Sequence, residues 1–206
     1  MKFLFVMAAF FVFALPAFAA EEGLKLPKES QKQVDEIVAM TETVKKLAAS
    51  NKLADQNKEW SHYPDVLEDK DIYLDEKKRV REYTINFSFG ETNVVVEYFY
   101  DESERLCRVT ADSSEVDFDQ DDDPVTTKHE DLFISPTGTI LTMKLVRVLE
   151  NKKTGVHKRE DIALKEPDPL GRWRDFKFIW NIQNPKDDFQ KHPVTDKKIS
   201  RPKYDF

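Results

Sequence analysis

The stretch REYTINFSFGETNVVVEYFYDESERLCRVTA, residues 81–111, decides the fold of this 206-residue chain. In residues 82–89 apolar and polar side chains alternate, which is the period-2 pattern of a half-buried strand. A short turn leads into the β-branched and aromatic residues 94–100, and a second turn leads into a third apolar run, 106–111. Three consecutive strands with short connections predict an antiparallel meander.

Further strands are predicted toward the C-terminus. The apolar residues 132–134 end at a Ser-Pro-Thr-Gly turn, and residues 139–149 then predict the longest strand. A more polar strand ends near Leu164. The alternating run 173–182 predicts a final strand, with a helix as the alternative reading. The sheet therefore has about six strands.

One internal similarity supports the meander. Residues 98–106 and 132–140 each contain three apolar residues, a four-residue polar turn and a return to apolar residues. Two copies are too few to define a repeat protein. They indicate like hairpins within one antiparallel sheet.

A helix is predicted before the sheet. Residues 30–57 carry one apolar stripe at helical spacing, and Ser30 with Gln33 fits a capping box at the start. Residues 58–78 mix apolar islands with charges and are interpreted as a linker. The predicted fold class is α+β, with an N-terminal amphipathic helix packed on a curved antiparallel meander sheet that spans about 79–183.

The first 20 residues have the pattern of a secretory signal peptide. Lys2 supplies a positive charge, an apolar run follows, and small residues flank the expected cleavage sites after Ala19 or Ala20. We therefore expect export to a periplasmic or extracellular location. A lipid anchor is disfavoured because no cysteine stands at the cleavage site.

The rest of the chain is expected to be one domain, residues 21–183, followed by an extended or disordered tail, residues 184–206. The tail is rich in proline and charge. No second long apolar run follows the signal peptide, so no transmembrane segment is predicted in the mature chain.

The charge balance and the cysteine content limit the function classes. The net charge of −7 disfavours nucleic acid as a partner, because phosphate backbones repel an acidic surface. Cys107 is the only cysteine, so no intramolecular disulfide can form. It is interpreted as a buried structural thiol, with an intermolecular disulfide or a reactive thiol as the alternative.

An acidic loop is a weak calcium candidate. Asp117, Asp119 and Asp121 match the first three ligand positions of an EF-hand loop, in which oxygens coordinate Ca²⁺. The match ends there, since Asp122 stands where that loop needs glycine and Lys128 where it needs glutamate. The alternative is a solvated, self-repelling loop between two hairpins. No other cofactor is predicted.

Aromatic residues beside the sheet are the second candidate site. If exposed, Trp60, Tyr63, Trp173 and Trp180 could line a groove for an apolar ligand, a sugar or a peptide. Packing in the core is the alternative.

No catalytic motif accompanies these candidates. The four histidines lack the spacing of a zinc site, the few glycines are isolated, and no nucleophile elbow occurs. The sequence therefore predicts an exported, non-enzymatic binding protein whose partner is an unknown protein, peptide or apolar small molecule. A periplasmic carrier of a hydrophobic ligand, a lipid or lipid moiety held in the concave face of the sheet, is the alternative, and a hydrolase with scattered acids is a third.

Overall fold

The computed structural model describes residues 26–63, 66–89, 92–116, 125–151, 154–163, 170–173, 176–179 and 182–190. The helices are α1 (Lys28–Ala49) and α2 (Pro185–Gln190). The first four strands are β1 (Ala54–Tyr63), β2 (Val66–Leu74), β3 (Val80–Phe89) and β4 (Thr92–Tyr100). The next four are β5 (Leu106–Val116), β6 (Val125–Ile134), β7 (Ile140–Asn151) and β8 (Val156–Ala163), and a hairpin of β9 (Leu170–Trp173) and β10 (Phe176–Ile179) follows.

Strands β1 to β8 form one antiparallel sheet in the order in which they occur along the chain. The predicted α+β class and the meander are confirmed. The predicted number of strands is wrong, because the sheet has eight strands and begins at Ala54 rather than near residue 79. The segment interpreted as a linker forms β2 and most of β1, which pair along their length.

The helix is shorter than predicted. It runs from Lys28 to Ala49 rather than from 30 to 57, and Pro27 at its start provides no side-chain cap, so the predicted capping box is not formed. Asn51 has a φ of 55°, and Lys52 N donates to Leu47 O at 2.9 Å. A left-handed residue with this hydrogen bond is a common helix stop, and asparagine tolerates it. No helix in the described residues is long and apolar enough to cross a membrane.

Two further expectations near the C-terminus are corrected. The run 173–182 was expected to be one strand, but β9 and β10 pair with each other in a separate two-stranded sheet. Residues 184–206 were expected to be extended or disordered, but α2 lies within them. Asn184 followed by Pro185 suits a helix start, since asparagine caps and proline fits the first helical position.

The central strands are covered on both sides. The side that packs against α1 is called the helix face, where Phe99 and Cys107 contact Val44. The other side is called the latch face, and residues 182–190, which contact it, are called the latch. The buried residues of the latch face include Ile72, Tyr83, Ile85, Phe87, Val94, Val96, Tyr98 and Val109, which pack with Ile182 and Phe189 of the latch.

Three turns at one end of the sheet share a conformation. They occupy residues 75–79, 101–105 and 135–139, and in each the first backbone N–H donates to the carbonyl of the fifth residue at 2.8–3.0 Å. The fourth residues, Lys78, Glu104 and Gly138, all have a positive φ. The internal similarity found in the sequence therefore extends to a third hairpin.

Each of these turns is followed by a β-bulge. Across β4 and β5, Tyr100 pairs with Leu106 and Phe99 pairs with Arg108, which leaves Cys107 as the extra residue. A bulge interrupts the alternation of side chains. As a result Cys107 and Arg108 both contact the helix side, where Arg108 Nη1 donates to Thr41 Oγ1 at 2.8 Å.

The turn geometry predicts opposite effects of glycine at two neighbouring lysines. Lys78 has a φ of 59° and is exposed, whereas the exposed Lys77 is not in the left-handed region. The left-handed conformation costs a non-glycine residue about 1 kcal/mol, and glycine elsewhere costs about 0.5–1 kcal/mol in entropy. In urea unfolding, Lys78→Gly should therefore keep or slightly raise the free energy of unfolding, and the control Lys77→Gly should lower it. Equal losses in both variants would contradict this account of the turn.

Candidate functional site

The sequence-predicted site residues are only partly within the described residues. Trp60 and Tyr63 lie on β1, where the register places them opposite Glu68 and Val66. Trp173 ends β9. The structure describes the backbone at these three positions but not their side chains. Trp180 and the calcium candidates Asp117, Asp119 and Asp121 lie outside the described residues, so both predicted sites stay predictions.

A polar layer separates α1 from the helix face. Arg108 makes a two-pronged ion pair with Asp131, with both N–O distances 2.8 Å, and its third nitrogen donates to Thr41 of α1. The guanidinium also lies 5.0 Å from the centre of the Phe133 ring. Thr41 is fully buried and donates to Val38 O at 2.9 Å. These contacts fix the position of α1 over β5 and β6.

A second set of contacts lies one helical turn further along α1. Lys45 Nζ is 2.7 Å from Glu97 Oε2 and 5.3 Å from the centre of the Phe99 ring. Thr110 Oγ1 donates to the same carboxylate oxygen at 2.8 Å. Because Thr41 and Lys45 are four residues apart, they lie on one face of the helix. Two side chains of α1, Thr41 and Lys45, therefore bind polar groups of the sheet within this layer.

Glu82 is the unusual member of this layer. It is 6% exposed, and its Oε2 atom has no hydrogen-bond partner in the described part of the chain. The pKa of Glu82 is raised to about 7, and burial is the largest cause. The neighbouring Glu97 carboxylate adds to the rise, and Lys45 opposes it by a smaller amount. Burial disfavours the charged form of a carboxyl group. Glu82 therefore holds a proton up to neutral pH.

A carboxyl group of raised pKa beside a lysine has the composition of an acid–base pair. Oε2 of Glu82 is, however, inaccessible to solvent in the closed structure. Burial of this carboxyl group therefore couples its protonation to the packing of the helix face.

His129 and Cys107 have structural partners. His129 Nδ1 lies 2.7 Å from Asp112 Oδ1, and this contact raises the pKa of His129. Cys107 is buried, its thiol donates to Phe99 O at 3.1 Å, and burial raises the pKa of the thiol to about 12. Among the described residues no group of three or more His, Cys, Asp and Glu side chains is placed to hold a metal ion.

The latch face contains a buried cation. Lys70 of β2 is 0% exposed, and its Nζ donates to Asp188 O at 2.9 Å and to Asp188 Oδ2 at 3.2 Å. The hydroxyl of Tyr83 donates to the same Oδ2 at 2.6 Å. A buried ammonium group is costly unless it is paired and hydrogen-bonded. The partner is a carboxylate 118 positions away in the sequence.

Three more contacts hold the latch on this face. The Tyr100 hydroxyl donates to Ile182 O at 2.8 Å. Phe189 is 3% exposed, and Lys58 Nζ lies 4.8 Å from the centre of its ring. Lys58 also donates to Gln190 Oε1. The latch is therefore anchored at its first residue, Ile182, and along its last three residues, Asp188 to Gln190.

The sequence interpretation missed this site because its two halves fall in segments that were interpreted as irregular. Lys70 belongs to the supposed linker and Asp188 to the supposed tail. One signal was present, since Lys70, Ile72 and Leu74 follow a period of two. A lysine in such a row is expected to be exposed unless a partner carboxylate is known. Its partner Asp188 is 118 positions away, so the local sequence does not indicate it.

Glu82 predicts a pH-dependent stability. Its pKa in the folded chain, about 7, is above its ordinary value of 4.5, so folding takes up a proton between these two pH values. The free energy of unfolding should fall by an amount on the order of 3 kcal/mol as pH rises through this window, then level off. Glu82→Gln should remove most of this fall in urea-unfolding curves recorded from pH 4 to 8.

Glu36→Gln is the matched control, because Glu36 is exposed on α1 and its ion pair within the described residues is the 3.8 Å contact with Lys32. It should keep the pH profile of the unchanged chain. A Glu82→Gln profile that also stays unchanged would show that this carboxyl group is ionised in the folded chain at pH 5.

Asp188 and Asp187 form a second matched pair. Asp188→Asn removes the charge that faces Lys70 and should lower the free energy of unfolding by about 2 kcal/mol, with faster amide exchange in α2. Asp187 is exposed and, within the described part of the chain, forms hydrogen bonds with neighbouring Asn184, so Asp187→Asn should change stability by less than about 0.5 kcal/mol. Equal effects of the two variants on amide exchange in α2 would contradict the role assigned to the contact between Lys70 and Asp188.

Comparisons with known proteins do not place the chain in a family. No protein-family model, no curated protein and no solved structure matches it. Its function is therefore inferred from its own residues, and the two occupied faces of the sheet are the features that carry information.

Proposed function

We propose that the chain is an exported, non-enzymatic binding protein that holds a protein or peptide segment on its latch face. The observation that carries the proposal is the clamp formed by Lys70 and Tyr83, two side chains with 0% exposure that hold the carboxylate of Asp188. A sheet face with a buried, oriented cation is equipped to recognise an anionic group.

The latch supports this proposal because it behaves as a short bound segment. Its helix has six residues, too few to be stable by itself in water. Its conformation therefore depends on the contacts with Lys70, Tyr83 and Tyr100. A segment held this way competes with any free segment of similar chemistry, with the advantage of a high effective concentration.

The buried position of the Glu82 carboxyl group supports a non-enzymatic role. Glu82 lies on the helix face, and its Oε2 atom, which has no hydrogen-bond partner among the described residues, is inaccessible to solvent. The sequence also lacks a motif with a known catalytic mechanism. The hydrolase hypothesis consequently rests on acidic composition alone.

The carrier of a hydrophobic ligand has less support. Tyr83, Tyr98 and Tyr100 are each 0% exposed and occupy the centre of the latch face with their own side chains. An amphiphile at this position would have to displace the latch and contact a buried ammonium group. Export itself rests on the signal-peptide pattern of the first 20 residues.

The proposal predicts that loosening the latch opens the face to a free peptide. Phe189→Ala in the full-length chain removes an apolar anchor worth about 3 kcal/mol. A fluorescent peptide with the sequence of residues 182–190 should then bind saturably in fluorescence anisotropy, with about tenfold higher affinity than for the unchanged chain.

Asp187→Asn, which leaves the anchors in place, should behave like the unchanged chain. Asp188→Asn provides a second loosened variant if Phe189→Ala folds poorly. Absence of peptide binding to a loosened variant that still unfolds cooperatively in urea would overturn the proposed function.

A further inference from the structure

We infer that the latch face selects acidic-aromatic segments of a separate partner protein, in which an aspartate directly precedes an aromatic residue and an apolar residue lies six positions before the aspartate. This inference rests on the proposed function. It follows from how each part of the latch is held by Lys70, Tyr83, Tyr100 and Lys58.

The carboxylate position is defined most sharply. Lys70 Nζ donates both to the main-chain oxygen of Asp188, at 2.9 Å, and to its Oδ2, at 3.2 Å. Because one ammonium group binds both atoms, the carboxylate oxygen must lie at a fixed distance from the main-chain oxygen of the same residue. Glutamate, with one more methylene group, cannot satisfy both contacts in the same pose. The 2.6 Å hydrogen bond from Tyr83 is in the range of a charge-assisted bond to an ionised oxygen.

The aromatic position follows directly. Phe189 is 3% exposed within the apolar cluster of the latch face, and the Lys58 ammonium group lies 4.8 Å from its ring centre. A cation over a ring is attracted by the electron-rich face of that ring. An aliphatic residue would fill the space but would lose this attraction.

The third anchor, at Ile182, is a contact with the main chain of the latch. Tyr100 donates to the carbonyl of Ile182, whose side chain is buried in the same cluster. This contact accepts any apolar residue, because the hydrogen bond is to the backbone. Lys186 contributes little to selection, since its ion pair with Glu104 is solvent-exposed on both sides.

The charge distribution favours an acidic partner. The chain as a whole carries a net charge of −7, yet the latch is contacted by two lysines, Lys70 at Asp188 and Lys58 at Phe189. A segment with several positive charges would gain nothing at these positions. The latch itself carries two consecutive aspartates ahead of its phenylalanine.

The test uses full-length Phe189→Ala and a set of fluorescent nonapeptides based on residues 182–190. Relative to the parent peptide, versions with Asp188→Asn, Asp188→Glu or Phe189→Leu should bind about tenfold more weakly or worse, and the control Lys186→Ala should bind equally well. Adding Lys70→Met to the protein should weaken the parent peptide by a similar factor and should abolish its preference over the Asp188→Asn version.

The outcomes separate the two proposals. If the parent peptide does not bind to Phe189→Ala, the proposed function fails. If it binds but the Asp188→Asn peptide binds equally well, the face binds segments without this selectivity and only the present inference fails. A dimer of the unchanged chain in light scattering that Asp188→Asn dissociates would assign the face to a second copy and would overturn the inference of a separate partner.

Discussion

Burial on both sides of the central strands is the constraint on which the rest of this structure depends. Tyr98, Phe99 and Tyr100 are three consecutive residues with no exposed surface, although neighbouring side chains on a strand point to opposite faces. Such a sequence needs a covering layer on each side of the sheet. α1 supplies one layer from before the sheet, and the latch contributes to the other from after it.

Each covering layer is positioned by buried and partly exposed polar contacts as well as by apolar packing. On the helix face, Thr41 and Lys45 meet Arg108 and Glu97, and on the latch face Asp188 meets Lys70. Buried ion pairs add little net stability, because desolvation offsets most of their attraction. We interpret these pairs as setting the register of each layer, since a shift of either layer would leave a charge unpaired.

The sequence was informative where structure is determined by neighbours along the chain. The alternation in residues 82–89, the aromatic strand after it and the turn before Leu106 all appear as predicted. It was uninformative where a residue depends on a distant partner. Lys70 gives a polar appearance to β2, and the Ala-rich end of α1 hides the stop at Asn51. The first Asp-Glu-x-x-Arg turn, at residues 75–79, has the same pattern as 101–105 and could have been found by comparing the two.

The order of the strands has a consequence for how the chain folds. Every pairing in the eight-stranded sheet joins strands that are adjacent in sequence, so the sheet has a low contact order for an all-antiparallel structure. The latch contacts, by contrast, join residues 82 to 132 positions apart. Closing so long a loop costs entropy that only a formed surface can offset. We therefore expect the sheet to form before the latch docks, so that the folding chain passes through a stage in which its latch face is complete and still open.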